Sequence, residues 1–142
     1  MIIPDVNLLL YANVSAFPQH AAARKWWQDC LNARQPVGLP LPVVFGFIRI
    51  GTNPRVLSPP LAPDDAIARI EGWLTLRHVT VVHPGPRHLD IAFDLIRQLG
   101  TAGGLTTDIQ VAALAIELQA EVNSNDTDFA RFPGLRWRNP LS

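Results

Sequence analysis

Cysteine, lysine and net charge are scarce in this chain, and each scarcity excludes something. The single cysteine, Cys30, has no partner for an intramolecular disulfide and disfavours a thiolate metal site. Its apolar helical surroundings predict a small core residue. Lys25 is the only lysine among 12 basic residues. The Gly103-Gly104 pair therefore lacks both the lysine and the spacing of a phosphate-cradling loop. The arginine bias suits bidentate phosphate contacts, although genomic base composition produces the same bias. Twelve acidic residues balance the 12 basic ones, so any nucleic-acid contact must come from a local basic patch. No basic leader precedes a long apolar run, and no apolar run approaches the roughly 20 residues of a membrane span. A cytoplasmic protein is expected. The four histidines, His20, His78, His83 and His88, show no zinc-like spacing and predict packing or surface roles. Repeats, linkers and low-complexity tails are absent as well. With 142 residues, 48% of them apolar and 17% charged, the chain fits one domain, residues 1–142, with a real core.

Periodicity supplies the elements. Met1–Pro4 reads as a short buried strand, followed by a helix near Leu8 that Asn7 could cap. Residues 20–32 carry Ala22, Trp26 and Cys30, then Ala23, Trp27 and Leu31, at i, i+4 spacing and predict a helix. A strand is expected at Pro36–Leu39, and a buried helix at Pro42–Ile50, where length alone does not exclude a strand. Asp64 is a candidate cap for a helix reaching about Leu76. Val79–Val82 is a β-branched strand closed by Pro84-Gly85-Pro86. His88–Leu99 is helical and stops at Gly100, a residue suited to the left-handed helix terminus. A helix over Asp108–Gln119 and strands at Val122–Ser124 and Leu135–Trp137 complete the series. Alternating strands and helices predict an α/β three-layer sandwich with a mainly parallel sheet.

Asp5, Asp108 and Asp126 each fall where such a chain changes direction. Asp5 closes the first apolar run, Asp108 opens a helix after a glycine-rich stretch, and Asp126 follows a strand in Asn125-Asp126-Thr127-Asp128-Phe129. Each has a structural explanation of its own: Asp5 and Asp108 as helix caps, Asp126 and Asp128 as turn formers. Their convergence at the carboxyl edge of one parallel sheet, where ligand crevices form, favours a shared site. Carboxylates gathered there attract a hard cation, since unpaired like charges repel. Mg²⁺ or Mn²⁺ takes such oxygen ligands together with substrate phosphate, polarises a phosphoryl oxygen and activates water, as phosphodiester hydrolysis requires. Ser124 and Asn125 could hydrogen-bond the carboxylates or the attacking water. Trp26, Trp27, Phe45, Phe47 and Trp73 fit core or partner-contact roles on apolar helix faces.

Four segments carry a resemblance. They are Ile3-Pro4-Asp5-Val6-Asn7, the run Gly46-Phe47-Ile48-Arg49-Ile50-Gly51-Thr52-Asn53-Pro54-Arg55-Val56, then Gly103-Gly104-Leu105-Thr106-Thr107-Asp108, and Asn125-Asp126-Thr127-Asp128-Phe129-Ala130-Arg131-Phe132. With this ordered set, over almost its whole length, the chain resembles a PIN-domain ribonuclease of the VapC type, the toxin of a bacterial toxin–antitoxin pair. The resemblance implies that Asp5, Asp108 and Asp126 hold the metal, with Asp128 a neighbouring contributor and Asn7 the family's polar residue two places after the first acid. It also implies a cognate VapB-like antitoxin that crowds the acidic crevice, and a tendency to dimerise. One departure stands out: the place where family members commonly carry a glutamate is Gly46, and no acid lies between Asp29 and Asp64. Loss of that carboxylate favours one well-held metal over two; Glu71 or a partner's acid is the candidate substitute.

The expected function is a metal-dependent endoribonuclease acting on tRNA or another structured RNA. Arg49, Arg55 and Arg131 are candidates for contacts to the substrate backbone, or ordinary surface residues. A PIN-fold interaction module without catalysis is the alternative, and Gly46 is the feature in its favour. A phosphotransfer domain with Asp5 as phosphoacceptor is a third reading, weakened by the lack of a lysine near the site.

Overall fold

A computed structural model describes all residues 1–142. Five strands, β1 (Ile2–Pro4), β2 (Val37–Pro40), β3 (Val79–Val82), β4 (Glu121–Asn123) and β5 (Arg136–Arg138), form one sheet in the order β3-β2-β1-β4-β5. Every neighbouring pair is parallel, so the expected "mainly" parallel sheet is parallel throughout. Parallel pairing requires long crossovers. Helices α1 (Val6–Asn13) and α2 (His20–Asn32) join β1 to β2, α3 (Leu41–Gly51) and α4 (Pro63–Leu74) join β2 to β3, and α5 (His88–Leu99) and α6 (Thr106–Leu118) join β3 to β4. The first two connections step outward from β1, whereas the third returns across the sheet to its other side. Because such crossovers are right-handed, the opposite directions lay helices on opposite faces, giving three α/β/α layers. Two short 3₁₀ turns, Gly103–Leu105 before α6 and Thr127–Arg131 after β4, were not legible as elements in the sequence.

The strands are almost wholly apolar where they are central: Ile2, Ile3, Pro4 and Val37 to Pro40 are all buried, as expected of a sheet covered on both faces. One apolar cluster unites strands and helices, and α6 runs through it with Ile109, Val111, Ala112, Ala113, Leu114 and Ala115 buried. The small alanines let that helix approach β4 and α5 closely. Trp27, Phe47 and Trp73 meet edge to face, with ring centroids 5.3 Å apart for both Trp27–Trp73 and Phe47–Trp73, and tie α2, α3 and α4 together. Gly100 ends α5 at φ 70°, the left-handed stop its sequence position predicts.

Three local expectations change. Asp5, not Asn7, is the residue that caps α1, because the helix already begins at Val6. Asp64 lies inside the first turn of α4, which starts at Pro63 after Ala62 with no side-chain cap; proline is suited to that first position. The apolar α3 is not buried all round: Leu41 and Phe45 are 42% and 62% exposed.

Candidate metal centre

The strand order reverses at β1, whose neighbours β2 and β4 are reached by crossovers running in opposite directions. The carboxyl ends of β1 and β4 therefore flank a topological switch point, where a crevice opens in parallel sheets. Asp5 directly follows β1, and Ser124, Asn125 and Asp126 directly follow β4. The two segments are stitched by an Asp5 N–H donating to the Asn123 carbonyl at 2.9 Å.

The Asp5 carboxylate is held at both oxygens. Oδ1 accepts from the Val6 N–H at 2.8 Å, and Oδ2 accepts from the Ser124 hydroxyl at 2.7 Å. The same hydroxyl oxygen accepts from the Asp126 N–H at 2.9 Å and from the Asn7 side-chain amide at 3.3 Å. Ser124 is fully buried and thus fixes Asp5, Asn7 and Asp126 relative to one another. Asp126 caps the second 3₁₀ turn, its Oδ1 accepting from the Asp128 N–H at 2.9 Å. Asp126 therefore is a turn former, as its sequence allowed, while Oδ2 makes no hydrogen bond within the chain. Asp108 enters from the opposite side, in the first turn of α6. The capping explanation for Asp108 fails: Leu105 occupies the cap position and makes no side-chain cap bond.

Asp108, Asp126 and Asp128 bring carboxylate oxygens within 4.8 Å of one another, all half-buried. Asp5 stands beside this trio rather than inside it, joined to Asp126 through Ser124. Asp128, a neighbouring contributor in the sequence reading, is thus one of the three closest-grouped acids. Charge behaviour follows from the crowding. Burial, and after it the charges of Asp5, Asp126 and Asp128, together push the Asp108 carboxyl up to about 7. Burial also raises Asp5, with Asp126 adding to it, although the bonds from Ser124 and Val6 pull the other way. A cluster of carboxylates that resists ionisation when bare is chemically matched to a hard divalent cation, which takes oxygen ligands and relieves the repulsion. Asp5, Asp108, Asp126 and Asp128 are the residues able to hold one.

Asn125 faces away from the acids. Its N–H reaches Asn7 Oδ1 at 3.5 Å, and its Oδ1 accepts from the Asn139 side-chain amide at 3.1 Å. Asn139 and Trp137, whose indole N–H donates to the Ser124 carbonyl at 3.1 Å, touch this frame although no sequence motif marked them. Arg131 lies 3.9 Å from Asp128 in the same turn. Arg49 and Arg55 are exposed at the end of α3 and in the loop beyond it, and neither side chain pairs with an acid. Glu71 is exposed on α4 and outside the cluster, so it does not replace the missing glutamate. Gly46 is buried against α1, and a Cβ there would stand 2.8 Å from Val6 Cγ2. A larger side chain at this position would therefore require Val6 to shift. His20 and His78 bond the carbonyls of Tyr11 and Cys30, the packing roles expected of them. The largest concavity, about 400 Å³ between α1, α2 and α4, contains none of these aspartates.

Residues 2–135 match the PIN domain family. Ribonuclease VapC33 of Mycobacterium tuberculosis is 55% identical over 141 residues, 99% of each chain. Ribonuclease VapC43 of the same species is 38% identical over 141 residues, covering 99% of this chain and 96% of its own. Among solved structures, the VapBC2 complex of Rickettsia felis bound to a promoter DNA fragment superposes with a TM-score of 0.71 at 16% identity over 98% of both chains. Mycobacterium tuberculosis VapC20, described as a sarcin–ricin-loop-cleaving toxin, gives 0.67 at 16% identity over 96% and 99%. At such identities these two likenesses speak for the fold, while the closer sequence relatives narrow the branch. Together with the acid-lined switch point, they place the chain in the PIN-domain family, among the VapC ribonucleases.

Proposed function

We propose that this protein is a metal-dependent endoribonuclease toxin that hydrolyses RNA phosphodiester bonds and is restrained by a VapB-like antitoxin. The observation that carries the reading is the approach of Asp108, Asp126 and Asp128 to within 4.8 Å of one another beside Asp5. The ion is Mg²⁺ or Mn²⁺, both of which bind through a few carboxylates and leave positions for phosphate and water. Bound there, such a cation polarises a phosphoryl oxygen and acidifies water. The chain's own part is positioning. Ser124 sets Asp5 against Asp126 through its single hydroxyl, and Asn7 supports that hydroxyl. Asn125 acts at one remove, as a brace on the loop rather than as a partner of the carboxylates. Arg131 is the arginine best placed to meet a substrate phosphate, because it already lies beside Asp128. Arg49 and Arg55 would act only if RNA extends across the end of α3. The missing carboxylate at Gly46 supports one tightly held ion rather than two.

A homodimer fits the exposed apolar residues. Leu41 and Phe45 on α3, and Leu89 and Phe93 on α5, are each spaced i, i+4 and are 42%, 62%, 62% and 47% exposed. A cavity of about 240 Å³ lined by Leu41, His88 and Leu114 lies where these helices begin. With an RNA substrate and an antitoxin as partner, the protein acts in the cytoplasm.

Purified, antitoxin-free protein tests the reading with structured RNA, tRNA included. Cleavage requires Mg²⁺ or Mn²⁺, stops with chelator, and falls about a hundredfold in Asp108→Asn and Asp126→Asn, the upper end of what altered metal surroundings cost. Gly46 favours a second reading, an interaction module without catalysis. Equal, metal-independent RNA survival in wild type and both variants, with antitoxin binding retained, would establish that module and reject the nuclease.

A further inference from the structure

The C-terminal strand does more than extend the sheet by one edge. Ser124 continues the β4–β5 pairing by one residue, its N–H donating to the Arg138 carbonyl at 3.1 Å. The Trp137 indole N–H donates to the Ser124 carbonyl at 3.1 Å. Both backbone groups of the residue that orients Asp5 and Asp126 are thus committed to β5. One position further on, the Asn139 amide donates to Asn125 Oδ1 at 3.1 Å, and Asn139 Oδ1 accepts from the Leu141 N–H at 3.0 Å. Leu141 and Trp137 pack against the core, so the donor end of this chain of bonds is anchored. From Leu141 the bonds run through Asn139 to the Asn125 side chain; the Asn125 N–H then reaches Asn7, whose amide meets Ser124 Oγ beside Asp5 and Asp126. Buried or half-buried networks of this kind are rigid only while every member is satisfied.

We propose that Trp137 and Asn139 are positioning residues for the metal centre: they clamp the Ser124–Asn125 link and thereby set the direction of the Asp126 carboxylate. The proposal rests on the metal-dependent reading given above. Both residues lie beyond residue 135, where the match to the PIN domain family ends. It acts through backbone and amide contacts, and neither side chain touches an acid.

Mn²⁺ binding by calorimetry on the full-length, antitoxin-free protein tests it, with thermal unfolding measured alongside. Asn139→Ala removes the clamp on Asn125, and Trp137→Phe keeps an aromatic ring while deleting the N–H to Ser124. Each is expected to weaken Mn²⁺ binding by about tenfold, the lower end of what losing an outer partner of metal ligands costs. In RNA cleavage, kcat falls by a similar factor while KM stays within about twofold, the signature of lost positioning rather than lost substrate binding. Because Asn139 acts through Asn125, the double variant Asn125→Ala/Asn139→Ala loses no more affinity than Asn125→Ala alone. Should Asn139→Ala fail to fold, Trp137→Phe decides by the same readout. Wild-type uptake of Mn²⁺ with the variants within about twofold of it, whatever their unfolding temperature, overturns the brace alone. No uptake by wild type overturns the nuclease reading and the brace with it.

Discussion

At the scale of single residues, the centre is a compromise between holding carboxylates and keeping them charged. Asp108 shows it most plainly, its carboxyl pushed up to about 7 from 3.8 by burial and by three neighbouring acids. A folded-state value above the unfolded one means that the folded protein binds a proton the unfolded chain releases. The associated stabilisation is fully present below about pH 4 and is lost as pH rises towards 7. Asp5 is raised in the same direction and adds the same sign. Metal-free protein should therefore unfold more easily at pH 8 than at pH 5, and Asp108→Asn should flatten that dependence. Half-exposed as Asp108 is, solvent screening leaves about 1–2 kcal/mol of effect. Thermal unfolding in chelator across that pH range measures it. A steeper pH dependence in the variant than in wild type contradicts the assignment. The aspartates themselves were legible in sequence because each ends a strand or opens a helix. Their grouping was not: which of Asp5 and Asp128 completes the tight trio depends on a 3₁₀ turn that carries no periodic signal. Asn139 was illegible for the same kind of reason, since a side-chain hydrogen bond across 14 residues leaves no local pattern.

At the scale of elements, what was visible in advance followed from periodicity. Helix α2 spans His20–Asn32 and β3 spans Val79–Val82 as expected, because apolar spacing in one and β-branching in the other leave little alternative. Boundaries set by caps moved instead: Val6 rather than a later residue opens α1, and Pro63 opens α4. In α3 an almost continuous apolar run hid which face is exposed, so Phe45 could not be told from Phe47 by hydrophobicity. The contact of α1 with α3 carries its own prediction. A methyl group at Gly46 meets Val6 Cγ2 at 2.8 Å, and a β-branched valine on a helix has little rotamer freedom to yield. Gly46→Ala should cost about 1–3 kcal/mol through overpacking, and Val6→Ala should remove most of that penalty. Denaturant unfolding of the two single variants and the double variant gives the coupling energy; simple additivity would show that the helices separate freely and that the missing glutamate has another cause.

At the scale of the whole molecule, the parallel sheet and its reversal at β1 do most to locate function. They bring residues 5, 108 and 126 to one edge. Zero net charge gives the protein as a whole no pull on RNA, so the proposed function needs a local contact, for which Arg131 beside Asp128 is the candidate. Phe45 on α3 and Leu89 and Phe93 on α5 are large apolar side chains left exposed, of the kind that marks contact surfaces when grouped. Light scattering should accordingly report about twice the 15.7 kDa chain mass. Phe45→Glu combined with Phe93→Glu should shift the protein to monomer while leaving Mn²⁺ binding intact. A wild-type monomer at high concentration contradicts the pairing. The most direct test of the account as a whole is anomalous diffraction from crystals soaked in Mn²⁺. One peak is predicted within about 2.0–2.3 Å of carboxylate oxygens from Asp108, Asp126 or Asp128 and close to Asp5, the range of hard-cation–oxygen distances. A saturating soak that leaves no anomalous density among these four aspartates would contradict it.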